Sequence, residues 1–191
     1  MSGAGDLGPM GRLKKTVVMI GMMGAGKTAV GTAVSKLLSV PFLDSDDEIV
    51  SAANRSIAEI FERDGESFFR AREAEVLARL LRGTPCILST GGGAFLAEGN
   101  RNLIREAGLS VWLRADPELL WQRVRHKTTR PLLRTANPRD TLLALTAERQ
   151  PIYASADLIV DSDAELSVDQ MAQLVALALA TRPDALDGTD L

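Results

Sequence analysis

The stretch Thr16-Val-Val-Met-Ile20, followed directly by Gly21-Met-Met-Gly-Ala-Gly26-Lys27-Thr28, decides the fold of this chain. Its first five residues form a β-branched, apolar run, which is typical of a strand buried on both faces of a sheet. The next eight match G-x-x-x-x-G-K-[ST], and Lys27–Ser39 continues with helical apolar spacing. A strand, a glycine-rich turn and a helix in this order predict a loop whose backbone N–H groups bind phosphate.

Short apolar runs alternate with helical patterns along the rest of the chain. Helix starts are marked by capping residues at Ser56, Asp116 and Ser167. Parallel strands need crossovers of this kind, so we expect an α/β fold of three layers, with a five-stranded, mostly parallel sheet between helices. The further strand candidates are Pro41–Leu43, Pro85–Ser89, Ser110–Leu113 and Leu158–Val160.

Composition limits the classes of protein that remain. The 191 residues carry 22 Lys and Arg against 25 Asp and Glu, which argues against bulk affinity for nucleic acid or an anionic membrane. The single cysteine excludes an intrachain disulfide and a zinc site with several Cys ligands. No signal peptide or spanning stretch is visible, so we expect a cytoplasmic protein. One domain over 16–182 is expected, between flexible tails at 1–15 and 183–191.

Two polar clusters follow predicted strands. Asp44 and Asp46 lie at the carboxyl end of the second strand, where open α/β sheets bind ligands. One carboxylate could hold Mg²⁺ and the other accept a proton from an alcohol, while helix N-capping is an equally good explanation. Gly91–Gly93 follow the next strand, and they indicate either close approach of a ligand or a plain flexible turn.

The segment from Trp121 to Arg139 contains six cations and no acidic residue. Its prolines and threonines favour a loop over a helix. A basic loop could close as a lid over anionic phosphates, although a solvated surface loop or a nucleic-acid patch would have the same composition. The six cations are Arg123, Arg125, Lys127, Arg130, Arg134 and Arg139.

Together these segments resemble the shikimate kinase family, which comprises small P-loop kinases of the nucleoside-monophosphate-kinase type. The resemblance covers Thr16 to Asp161 and rests on several segments in the same order. Beyond the glycine-rich loop, they are Phe42-Leu-Asp-Ser-Asp46, Gly65-Glu66-Ser-Phe-Phe-Arg70-x-x-Glu73, Gly91–Gly93, Arg130-Pro-Leu-Leu133 and Glu148-Arg149-x-Pro151-x-Tyr153-x-x-Ala156-Asp157.

The resemblance implies a reaction. The γ-phosphoryl group of ATP passes to the 3-hydroxyl of shikimate, giving shikimate 3-phosphate and ADP on the route to chorismate and the aromatic amino acids. Mg²⁺ is the implied cofactor, ATP and shikimate are the implied partners, and we expect a monomer that binds neither nucleic acid nor membrane.

The resemblance also implies residue roles. An acceptor-binding region is expected over about 44–73 and a lid over about 123–139. Catalytic roles fall on Lys27, Asp46 and Arg130, and metal contacts on Thr28 and Asp44. Nucleotide contacts fall on Gly24, Ala25, Gly26, Lys27, Thr28, Ala29, Arg123 and Arg130. Acceptor contacts fall on Asp46, Arg70, Gly91, Gly92, Gly93 and Arg149, with the two arginines gripping the carboxylate.

Alternatives stay open for several of these roles. Without the resemblance, Arg70 reads as a helix-surface ion pair with Glu66 or Glu73, and Arg149 as a pair with Glu148 or Asp157. No partner motif for the adenine opposite Arg123 is evident, and the acidic stretch 161–165 is unexpected there. A gluconate or other hydroxy-acid kinase is one rival, and a ligand-sensing, kinase-like domain of a transcription regulator is another.

Overall fold

A single five-stranded sheet organises the chain. The computed structural model describes residues 11–127 and 131–187, and within them all strands pair in parallel in the order β2-β3-β1-β4-β5. The predicted fold class is therefore confirmed. The strands are β1 (Thr16–Ile20), β2 (Phe42–Asp44), β3 (Ile87–Ser89), β4 (Gly108–Ala115) and β5 (Leu158–Ser162).

Helices connect the strands and form the outer layers of the α/β/α fold. Helix α1 packs against α7, and α3 packs against α4. Between these layers β1 is completely enclosed, with no residue more than 1% exposed, as its apolar run predicts. The helices are α1 (Lys27–Leu37), α2 (Ser45–Ala53), α3 (Ile57–Leu81), α4 (Glu98–Ala107), α5 (Pro117–Val124), α6 (Pro138–Tyr153) and α7 (Val168–Ala180).

Side-chain caps begin the helices where the sequence predicts them. Ser56 and Ser167 each form a full capping box, and Asp116 caps α5 through the N–H of Glu118. Helix α3 is interrupted at Gly65, whose φ of 82° and ψ of 173° are not helical. This break divides α3 into two helical parts.

The chain ends depart from the two tails expected at 1–15 and 183–191. Leu13 and Leu186 form an antiparallel bridge, and both side chains are only 3% exposed. The backbone N–H of Lys14 donates to the carbonyl of Ala185 at 2.7 Å. The prediction failed for 13–15 and 183–187 because isolated apolar residues give no periodic signal, although tertiary contacts bury them.

The basic segment is less of a loop than its composition indicates. Arg123 lies within α5, and Arg139 lies in the first turn of α6, where it pairs with Glu118 at 2.8 Å. A loop prediction over the whole segment was therefore wrong at both ends. Pro138 contributed to the error at the second end, since it begins α6 here instead of interrupting a helix.

No helix within 11–127 and 131–187 combines the length and apolarity needed to cross a lipid bilayer.

Candidate active site

One open cleft of about 920 Å³ lies at the carboxyl ends of the strands. Ligands bind at this edge of open parallel sheets. Every site residue expected from the sequence lines the cleft, except Arg130, which lies outside the described residues. They are Gly24, Ala25, Gly26, Lys27, Thr28, Ala29, Asp44, Asp46, Arg70, Gly91, Gly92, Gly93, Arg123 and Arg149.

The phosphate loop forms the middle of the cleft. Gly24 has a φ of 82°, and a Cβ there would lie 2.7 Å from Val124 Cγ1, so both its backbone conformation and its packing require glycine. Gly26 precedes α1 without a side-chain cap, which leaves the first N–H groups of the helix available to an anion. Lys27 Nζ folds over the loop and donates to the carbonyls of Gly21 and Met22 at 2.8 and 3.1 Å.

Asp44 and Asp46 have different roles: Asp44 caps a helix, whereas Asp46 faces the cleft. Asp44 Oδ1 accepts the N–H of Asp46 at 2.9 Å and caps α2, so the N-capping explanation holds for Asp44. Asp46 Oδ1 is buried and has no hydrogen-bond partner within the described residues. Burial raises the pKa of Asp46 to about 6, and the charges of Asp44 and Glu73 add to this effect while Lys27 opposes it. Asp46 is thus a partly desolvated carboxyl that faces the cleft.

Arg70 lies against Gly91–Gly93, which we call the glycine turn. Its guanidinium bonds Glu73 at 2.8 Å and approaches Glu66 at 3.6 Å, so the helix-surface ion pairs anticipated for it exist. Glu73, however, is 1% exposed, and burial raises its pKa against the lowering effect of Arg70. A Cβ on Gly93 would lie 2.6 Å from Arg70 Nη2. Glycine at 93 therefore leaves the space that the guanidinium occupies.

Arg149 approaches the same turn at its middle residue, Gly92. A Cβ on Gly92 would lie 3.4 Å from Arg149 Nη1, and one on Gly91 would lie 3.1 Å from Asp46 Oδ1. Within 11–127 and 131–187, the ion pairs do not join Arg149 to Glu148 or Asp157. Asp46, Arg70 and Arg149 thus approach the glycine turn from three separate helices, α2, α3 and α6.

At the far end of the cleft, sequence reasoning identified Arg123 but missed the other lining residues. Arg123 Nη1 donates to the carbonyl of Gly24 and to Ser162 Oγ, both at 3.2 Å. Asp161 from the acidic stretch pairs instead with Arg114, through two hydrogen bonds of 2.5 and 2.8 Å. No local motif marks this end because its lining comes from different elements. The additional lining residues are Lys127, Ser162, Leu166, Val168 and Met171.

Comparison with known proteins agrees with this geometry. The shikimate kinase family model matches residues 23–180. The chain belongs to the shikimate kinase family. A shikimate kinase of Cereibacter sphaeroides is 70% identical over 93% of this chain and 89% of the relative, and one of Ruegeria pomeroyi is 68% identical over 92% and 90%.

Solved structures of shikimate kinases have the same fold as this chain. The shikimate kinase of Acinetobacter baumannii in complex with shikimate superimposes with a TM-score of 0.81 and 36% identity, covering 88% of this chain and 94% of that one. As a member of the shikimate kinase family, the chain is a kinase with ATP as its phosphoryl donor.

Proposed function

We propose that this shikimate kinase transfers the γ-phosphoryl group of ATP to the 3-hydroxyl of shikimate, releasing shikimate 3-phosphate and ADP for aromatic amino-acid biosynthesis. The observation that carries the proposal is the single cleft that joins the phosphate loop to Asp46, Arg70, Arg149 and the glycine turn. Phosphoryl transfer depends on positioning and charge neutralisation more than on covalent help. The cleft provides groups for positioning and for charge neutralisation side by side.

The donor would occupy the middle and far end of the cleft. The loop N–H groups and the start of α1 suit the phosphates, and Lys27 would exchange its bonds to loop carbonyls for bonds to phosphate oxygens. The guanidinium of Arg123 suits a flat base, and Leu166 and Met171 add apolar lining to the same cleft. The lid role proposed for about 123–139 includes Arg130, which lies outside the described residues.

The acceptor would occupy the region over about 44–73 together with the glycine turn. Two guanidiniums, from Arg70 and Arg149, approach neighbouring residues of the turn and suit a carboxylate and neighbouring hydroxyls. Asp46 would orient the attacking hydroxyl, and its raised pKa suits it to accept the proton as the bond to phosphorus forms.

The donor set fits Mg²⁺. This ion commonly uses one or two protein oxygens and takes its remaining ligands from phosphate and water. Thr28 and Asp44 line the same cleft, and the capping bond of Asp44 uses its Oδ1. We therefore propose these two as the metal contacts, where Mg²⁺ would neutralise charge on the phosphates.

We propose that the protein is a cytoplasmic monomer. Cys86 is a free, buried thiol, which fits the reducing cytoplasm. Size-exclusion chromatography with light scattering tests the predicted monomer, and a stable dimer would contradict it.

The deciding experiment is a coupled ADP-release assay with shikimate and gluconate side by side, with and without Mg²⁺. We expect turnover with shikimate only, and only with the metal. Arg70→Ala should raise the KM for shikimate, while Arg72→Ala is the matched control because Arg72 lies on the same helix and pairs with Glu75 at the surface. Turnover of gluconate, or binding without any turnover, would overturn the proposal.

A further inference from the structure

Tyr153 is a buried phenol that the roles above leave unused. It ends α6 and is 1% exposed. Its ring packs against Trp112 at 5.9 Å and Phe95 at 6.5 Å between ring centroids. Aromatic neighbours on two sides fix the ring, so the hydroxyl occupies one defined position.

That hydroxyl lies at the middle glycine of the turn. Tyr153 Oη donates to the carbonyl of Gly92 at 2.6 Å, across 61 residues of sequence. A Cβ on Gly92 would lie 3.9 Å from Tyr153 Oη and 3.4 Å from Arg149 Nη1. The tyrosine and the arginine therefore approach the same residue of the turn.

Helical spacing explains why the two side chains meet. Arg149 precedes Tyr153 by four residues, so both lie on the same face of α6. A phenol that donates to one carbonyl keeps its lone pairs for an N–H donor. The Arg149 charge lowers the pKa of Tyr153, against the larger raising effect of burial, which agrees with a guanidinium beside the hydroxyl.

We propose that Tyr153 is a positioning residue for the acceptor, whose hydroxyl holds the Gly92 carbonyl and aligns the Arg149 guanidinium with the glycine turn. The inference rests on the proposed acceptor site. Without the hydroxyl, the turn and the arginine would each keep their place in the fold but lose the link between them. The cost would fall on acceptor binding and leave ATP binding alone.

The isosteric variant Tyr153→Phe tests this inference, because it keeps the ring packing and removes one oxygen. We expect the KM for shikimate to rise about three- to tenfold, the scale of one lost buried hydrogen bond, with the KM for ATP unchanged. The matched control is Thr146→Val, which removes another buried hydroxyl-to-carbonyl bond on α6, from Thr146 Oγ1 to Leu142. It should lower the melting temperature without changing either KM.

A purely structural tyrosine would behave like the control. If Tyr153→Phe lowers the melting temperature and leaves the KM for shikimate unchanged, or raises both KM values together, the inference is wrong.

A double-mutant cycle with Arg149→Ala tests the link itself. We expect the two substitutions to raise the KM for shikimate by less than the product of their separate effects, because each breaks the same arrangement. Multiplicative effects would overturn the link. If Arg149→Ala alone leaves the KM unchanged, the proposed acceptor site fails and the inference fails with it. If Arg149→Ala raises the KM for shikimate and Tyr153→Phe does not, the inference fails while the proposed acceptor site stands.

Discussion

The phosphate-loop part and the acceptor part of the cleft are built in opposite ways. The phosphate loop occupies one contiguous stretch, Gly21–Thr28, and its geometry depends on local backbone conformation and the start of α1. The acceptor end gathers side chains from α2, α3 and α6 around Gly91–Gly93. A site made of consecutive residues can be recognised as a motif in the sequence. A site made of residues from distant elements forms only when the fold brings them together. Changes at the loop should therefore act on chemistry, and changes at the acceptor end should act on recognition.

The largest effect is expected from Lys27→Ala. Lys27 is expected to stabilise the negative charge that develops in the transition state. Its loss should therefore lower kcat by a factor on the order of 10² or more. Steady-state kinetics measure the change, with Lys36→Ala on the exposed side of α1 as the control. A kcat close to that of the unmodified protein would break the contrast between the two parts of the cleft.

Acidity should affect the acceptor end next. Because the pKa of Asp46 is raised to about 6, a larger share of the carboxyl is protonated at any given acidic pH than for an ordinary aspartic acid. A protonated Asp46 cannot accept the hydroxyl proton, so kcat/KM for shikimate should fall about tenfold per unit below about pH 6.

Two variants test whether this decrease in kcat/KM at low pH, the acid limb of the pH profile, comes from Asp46. Asp46→Asn should have low activity and no limb near pH 6. Asp47→Asn, at the exposed neighbouring position, should keep the activity and a limb at slightly lower pH, because Asp47 adds the smallest of the raising effects on the pKa of Asp46. A limb that persists in Asp46→Asn would transfer the titration to another group.

Gly93→Ala should have an intermediate effect. Its Cβ would meet the Arg70 guanidinium at 2.6 Å, and the flexible arginine would have to move away from the turn. We expect the KM for shikimate to rise about tenfold, equivalent to about 1.4 kcal/mol, with little change in the KM for ATP. Gly99→Ala is the control, since a Cβ there meets nothing within 4 Å and lies in α4. An equal rise in both variants would count against the arrangement.

The smallest effect is expected from Arg123→Ala at the far end of the cleft. This variant loses the bonds to Gly24 and Ser162, and the KM for ATP should rise about threefold, as one modest hydrogen-bond contact would predict. The KM for shikimate should stay constant. Arg79→Ala, which removes an exposed pair with Glu48, serves for comparison. A rise in the KM for shikimate instead would blur the division between the parts of the cleft.

The same contrast explains what could be predicted from the sequence. The strand, loop and helix at 16–37 follow from periodicity and local turn chemistry, and so do the caps at Ser56 and Ser167. Asp46, Arg70 and Arg149 needed the family resemblance, because local spacing gave equal or better reasons for capping and surface ion pairs.

Other features lay beyond reach for a physical reason. The roles of Leu13 and Leu186 depend on a contact across 173 positions, and no local period reports it. Tyr153 stood in a quoted motif, but its hydroxyl acquires a partner only when α6 packs beside the glycine turn. Met171 lines the cleft from α7, which packs on α1, so its place also depends on a tertiary contact.

The pairing of Leu13 with Leu186 has a practical consequence. Strand β1 runs from Thr16 towards the phosphate loop, so residues 12–15 and their partners at 184–187 lie at the edge of the sheet opposite the cleft. A linker to a bead, a dye or a sensor chip could be attached beside either segment and would face away from the incoming substrates. Tethered molecules should then turn over at the rate of free ones, and a short bridge between the two segments should permit circular permutation.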